Sequence, residues 1–161
     1  MLLIALALLA VDSPVQRMEV EVVRDAITDD VRAYATVRDD GNRLVVSCNP
    51  ARFDGAQVTF HARRWLARGN VFTGERGVTF RFDSLPPQRS MWDVEDRRGR
   101  LSSRRRAESF LGHLMTAERV VIRARDIEDH VFDMEFRLQD VRPAVEQALA
   151  VCAAAEDRSE S

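Results

Sequence analysis

The sequence predicts an α+β domain: a mostly antiparallel β-sheet or sandwich with one mid-chain helix and a C-terminal helix packed on it. Three observations carry this. Stretches alternating apolar and polar residues recur along the chain, as strands with one buried face require. Short turns rich in Asp, Gly and Pro separate them, which suits hairpins and therefore antiparallel pairing. The apolar spacing changes to a helical rhythm at two places, around Ala107–Met115 and from Val141 onward.

In order along the chain, Met18, Val20 and Val22 alternate with Glu19 and Glu21, and Val31, Ala33, Ala35 and Val37 with Arg32, Tyr34, Thr36 and Arg38. Asp39-Asp40-Gly41-Asn42 forms a tight turn, because Asp-Gly tolerates the positive φ a two-residue hairpin loop demands. The return strand, Arg43 to Asn49, ends at Pro50. Val58, Phe60 and Ala62 mark a further strand, and Val78, Phe80 and Phe82 another. The glycine-containing stretch 63–77 between them reads as a long loop or helical turn. After Pro86-Pro87, a strand over Ser90–Glu95 turns at Asp96–Gly99 into Arg100–Ser102. A helix follows, carrying Ala107, Phe110, Leu111, Leu114 and Met115 on one stripe, with Ser102 or Ser103 as its cap. Val120, Ile122 and Ala124 define a strand, as do Phe132, Met134, Phe136 and Leu138. The last helix sets Val141, Ala144, Val145, Ala148, Leu149 and Cys152 on one face. Asp140 is its expected cap, and Pro143 falls in its first turn, where the missing N–H costs nothing.

The chain has 161 residues, 24 basic and 26 acidic side chains and a net charge of −2, and all its basic residues are arginine. With 45 % apolar and 31 % charged residues the composition is that of a globular protein, which excludes a wholly disordered chain, a collagen-like chain and a polytopic membrane protein. The near-neutral balance argues against nucleic acid as the partner of the whole domain. One domain is expected over 11–155, with a disordered tail over 156–161.

Residues Met1 to Val11 form an unbroken apolar run. It is shorter than the roughly 20 residues a transmembrane helix needs and suits the apolar core of a signal peptide over 1–10, cut after Ala10 or less favourably after Ala7. No basic residue precedes it, and the competing reading is a buried strand or helix. The mature form is then periplasmic or secreted, with no membrane span. In such a compartment two cysteines imply a disulfide. Cys48 shares a strand face with Leu44 and Val46, and Cys152 lies on the apolar stripe of the last helix, so both point inward.

Candidate chemistry is sparse. Of the histidines, His61, with Gln57 and Thr59, is expected on a solvated face, His113 off its helix's apolar stripe, and His130 beside a carboxylate. None stands at metal-ligand spacing from another histidine or a cysteine, so no metal or other cofactor is expected. The acidic pairs Asp29-Asp30, Asp39-Asp40 and Glu128-Asp129 fall at turns, where carboxylates bond the local backbone. Six arginines, Arg97, Arg98, Arg100, Arg104, Arg105 and Arg106, crowd into ten residues and form a candidate anion site. Asp93, Glu95, Asp96 and Glu108 flank them, so a self-paired charged surface is the competing reading.

Several segments taken together resemble a known group. They are Leu44-Val45-Val46-Ser47-Cys48, then Val78-Thr79-Phe80-Arg81-Phe82-Asp83 followed by prolines and Trp92, then the helix with Phe110-Leu111 and Leu114. Val120-Val121-Ile122-Arg123, Phe136-Arg137-Leu138 and the final Cys152 complete the pattern. Over residues 18–152 the chain resembles small exported bacterial proteins related to the VasI/TagO accessory proteins of type VI secretion loci. Met18 stands where that group carries a tryptophan. The resemblance implies no catalytic residues. The expected function is that of an exported, disulfide-closed, non-catalytic envelope protein that binds another protein or an envelope component. The alternatives are an anion-binding module using Arg97–Arg106 and a hydrolase using His130 with Asp129 or Asp133.

Overall fold

The structure, a computed structural model, describes residues 15–50, 55–101 and 103–159. The apolar run, its cleavage positions and Ser102 lie outside the described residues. Ten strands and two helices follow in the order β1 (Gln16–Arg17), β2 (Glu19–Arg24), β3 (Val31–Asp39), β4 (Asn42–Cys48), β5 (Ala56–His61), β6 (Glu75–Phe82), β7 (Gln88–Glu95), β8 (Arg98–Leu101), α1 (Arg104–Leu114), β9 (Arg119–Arg125), β10 (Val131–Gln139) and α2 (Val141–Ser159). This is the α+β domain that the periodicity predicts. Among the described residues no helix is long and apolar enough to cross a membrane.

The strands form a single sheet in the order β1-β10-β9-β6-β7-β8-β5-β4-β3-β2. Every pairing is antiparallel except the two-residue β1–β10 contact. The two ends of this order, β1 and β2, are separated in the chain by Met18 alone. Met18 donates its N–H to the Gln139 carbonyl at 3.2 Å, just where the chain passes from its pairing with β10 to its pairing with β3, so the ends of the sheet meet. That closure has no period-two signal, since β1 is too short to alternate.

The turns explain the register. Asp40 and Gly41 have φ of 43° and 76°, which gives the predicted hairpin and places Asp39 opposite Asn42. The other non-glycine residues with positive φ among those described are Asp29, Asp83, Asp96, Asp129 and Asp140, all aspartate. A short side chain that can bond the nearby backbone makes the left-handed region affordable. Asp83 shows the use made of it: its Oδ1 accepts from the N–H of Glu118 (3.1 Å) and Arg119 (2.8 Å), pinning the end of β6 to the start of β9.

Both helices contribute to one core. Ser103 caps α1 from an extended conformation, accepting from the Arg106 N–H at 3.3 Å. This sets Ala107, Phe110, Leu111 and Leu114 inward, and the Phe110 ring packs 4.9–5.7 Å from Phe80, Phe82 and Trp92. Helix α2 packs on β2, β3 and β4 with Val141, Ala144, Val145 and Ala148 buried, while Leu149 is only partly covered. Asp140 differs from its expected role: with φ at 54° it lacks the extended conformation of a cap, and its carboxylate accepts from Arg17 Nε at 2.8 Å. Helical backbone also continues past Ala155 to Ser159, into the segment expected as an irregular tail.

Cys48 and Cys152 form a disulfide, with Cα atoms 5.9 Å apart and a sequence separation of 104. Both are buried, as the strand alternation and helix stripe predict. Closing so long a loop is worth about 4–5 kcal/mol on the chain-entropy account. The bond fastens α2 to the inner face of β4 at the far end from the α2 start.

Candidate functional site

The arginines adjacent in sequence are drawn to partners on different elements. The Arg97 guanidinium lies over the Trp65 ring at 4.9 Å. Arg98 donates to Glu95 at 2.5 Å and Arg100 to Asp93 at 2.6 Å, both across the β7–β8 hairpin. Arg104 pairs with Glu108 at 2.8 Å one helical turn on, and Arg106 with Glu75 of β6 at 3.5 Å. Arg104, Arg105 and Arg106 are exposed on the first turn of α1. A linear cluster thus becomes a set of separate surface pairs, because a turn, a strand and a helix start point their side chains in different directions.

His130 does meet a carboxylate, as its place after Glu128-Asp129 predicts, but not the Asp129 or Asp133 of the hydrolase reading. Asp133 is held by Arg123 through two contacts of 2.7 Å, and Asp129 by Arg76 and Arg125 at 3.2 Å each. Arg123 itself holds the Asp133 carboxyl below its usual range. The groups around His130 are instead Glu128, with Oε2 3.3 Å from Nδ1, and Asp126, with Oδ1 at 3.6 Å. Ligand atoms of Asp126, Glu128 and His130 all lie within 4.8 Å of one another, a convergence that histidine–histidine and histidine–cysteine spacing does not reveal. The signal was present as alternate residues of one turn.

The geometry assigns Asp126 a structural task. Its Oδ1 accepts from the N–H of Glu128 (3.1 Å) and His130 (2.9 Å), and its Oδ2 from Arg64 Nη1 at 3.1 Å. Burial works to raise its pKa. The backbone bond from His130, the Arg64 guanidinium and the backbone bond from Glu128 outweigh that and hold the carboxyl below its ordinary value. With those lone pairs engaged and a guanidinium alongside, the trio makes a poor cation site and a good clasp for the β9–β10 turn. Among the described residues no nucleophile, base and orienting group come together into an obvious catalytic architecture.

His61 is half-buried rather than solvated, which corrects the expectation from its outward position. Its pKa is lowered to about 4, by burial first and then by repulsion from Arg43 and Arg98 on the flanking strands. His113 lies along the Phe82 ring at 5.5 Å, nearly parallel, and serves the aromatic core.

Exposed apolar side chains gather on the segment after β5 and on the β9–β10 turn. Trp65 is 48 % exposed and Ile127 66 %, and the Ile127 N–H donates to the Trp65 carbonyl at 3.1 Å. Farther along the same segment, Val71 and Phe72 are 91 % and 92 % exposed. The sequence shows these residues only as part of a glycine-containing loop, where apolar side chains have no periodicity to mark them. No protein-family model matches the chain, and neither a curated protein nor a solved structure matches it.

Proposed function

We propose that the chain is an exported, non-catalytic binding domain of the bacterial cell envelope, periplasmic or secreted, that acts by holding another protein or an envelope component. The observation that carries this reading is the buried Cys48–Cys152 bond, which ties the last helix to the sheet. Such a bond persists in oxidising compartments and is rare in the cytosol. The leading apolar run supports the same compartment. Exposed Trp65, Ile127, Val71 and Phe72 supply apolar area for a protein partner, with the Arg97 guanidinium over the Trp65 ring.

Fractionation of native cells followed by N-terminal sequencing tests the reading. A chain starting at Val11 in the periplasm or medium supports it. A chain retaining Met1 in the cytoplasm refutes it.

A further inference from the structure

Four neighbouring strands set four basic side chains in one row. Arg38 of β3 stands opposite Arg43 of β4, Arg43 opposite His61 of β5, and His61 opposite Arg98 of β8. Directly opposed residues share a face, and like charges so placed destabilise a sheet. The end members have carboxylates to answer them: Glu19 at 3.0 Å from Arg38, and Glu95 beside Arg98. The middle of the row does not. Among the described residues Arg43 makes no ion pair, and its Nη2 lies 3.4 Å from His61 Nδ1. A guanidinium can only donate, so Nδ1 accepts and the neutral ring carries its proton on Nε2. Beside the row opens a cavity of about 430 Å³ bordered by Gln16, Arg38, Arg43, His61 and the β3–β4 turn. The carboxylates of that turn are already engaged, Asp39 by Gln16 at 2.8 Å and Asp40 by Arg63 at 3.0 Å.

We propose that this row is the receptor for a multivalent anion bearing phosphate or sulfate groups, lying across β3, β4, β5 and β8. The ligand supplies the negative charge that the chain withholds from Arg43. Strands sit ~4.8 Å apart, so the outer arginine-bearing strands are roughly 14 Å apart, which suits several linked anionic groups better than a single ion. The row is three arginines and one half-buried histidine, with no Trp, Tyr or Phe to serve as a stacking platform, so the anionic groups offer it more than a base face does. The proposal does not depend on the compartment.

The probe is tripolyphosphate added to the protein with its disulfide intact, read through the proton NMR resonances of His61. The charged groups around this ring are Arg43 from β4 and Arg98 from β8, with Arg38, Asp39 and Asp40 beyond them on β3 and its turn, and Arg63 following β5. Bound anion offsets the repulsion from Arg43 and Arg98, so the His61 midpoint shifts upward. Arg43→Gln and Arg98→Gln each weaken binding at least fivefold and lower the log–log salt slope by about one. Arg105→Gln, on α1, leaves binding unchanged. Arg43→Gln relieves a like-charge contact and folds at least as stably as the parent, so its loss of binding is not a loss of fold. An unmoved His61 midpoint at saturating probe overturns the proposal, as does equal weakening by Arg105→Gln. A tenfold preference for a single-stranded oligonucleotide of matched charge overturns it too, by moving recognition to the bases.

Discussion

Gly99→Ala strikes the point where the sheet meets the Phe60–Trp92 pair of the core. Gly99 of β8 lies opposite Phe60 of β5 and Val94 of β7. A Cβ built there falls 2.4 Å from Cε1 and Cζ of the Phe60 ring, closer than real side chains approach. The ring cannot simply yield, because Phe60 is fully buried with its centroid 5.1 Å from that of Trp92, which in turn packs on Phe110 at 5.7 Å. Overpacking a filled core costs about 1–3 kcal/mol. For a domain of this size each kcal/mol lowers Tm by about 2–4 °C. The assay is urea and thermal unfolding of Gly99→Ala, Phe60→Leu and the pair. Phe60→Leu alone loses buried area, yet it makes room for the new methyl, so the double variant is expected to be more stable than the sum of the single effects by about 1 kcal/mol. Strict additivity, or a Gly99→Ala protein as stable as the parent, refutes the packing described.

Val145→Ala on the buried stripe of α2 costs about 1.5–3 kcal/mol, and Leu149→Ala, only partly covered, costs less; equal losses in urea melts would place the helix differently. His61, with its folded pKa near 4 below an ordinary 6.5, stabilises the fold above pH 6.5 and loses that contribution as pH falls toward 4. The loss is on the order of 1 kcal/mol, allowing for its partial exposure. His61→Gln is expected to flatten Tm against pH in that window, and an unchanged slope contradicts the assignment. Replacing Arg104, Arg105 and Arg106 together with Gln shifts unfolding by less than about 1 kcal/mol, since their pairs are solvent-exposed. A larger shift would mean that the first turn of α1 is held by those pairs.

Periodicity carried most of the fold because nearly every strand here has one dry face, and a residue's parity then states which way it points. The same parity placed Cys48 inward with Leu44 and Val46, and the three–four spacing did so for Cys152. What parity cannot supply is which strand lies beside which. The closure of the sheet through Gln16 and Arg17 rests on a pairing of two residues, and the basic row joins positions 38, 43, 61 and 98 through the register of four strands. The crowd of arginines visible in the linear sequence was the wrong scale at which to look, since neighbours on a turn and a helix start diverge. Asp140 was misread for a related reason: an aspartate before a helix suits a cap, but here the chain must turn sharply out of β10, and the left-handed conformation takes precedence. Of the Asp126–His130 clasp the sequence shows the carboxylate beside His130 and not the buried Asp126 whose Oδ1 gathers the turn's N–H groups.

The central claim is a domain closed by a disulfide in an oxidising compartment. Trapping thiols in intact native cells with an alkylating mass tag before lysis tests it most directly. The account expects no tag on the protein until a reductant is added, and two tags afterward, with the unfolding midpoint falling by the equivalent of about 4–5 kcal/mol or less. Two tags on the protein as it stands in the cell, with the same stability before and after reduction, would contradict it.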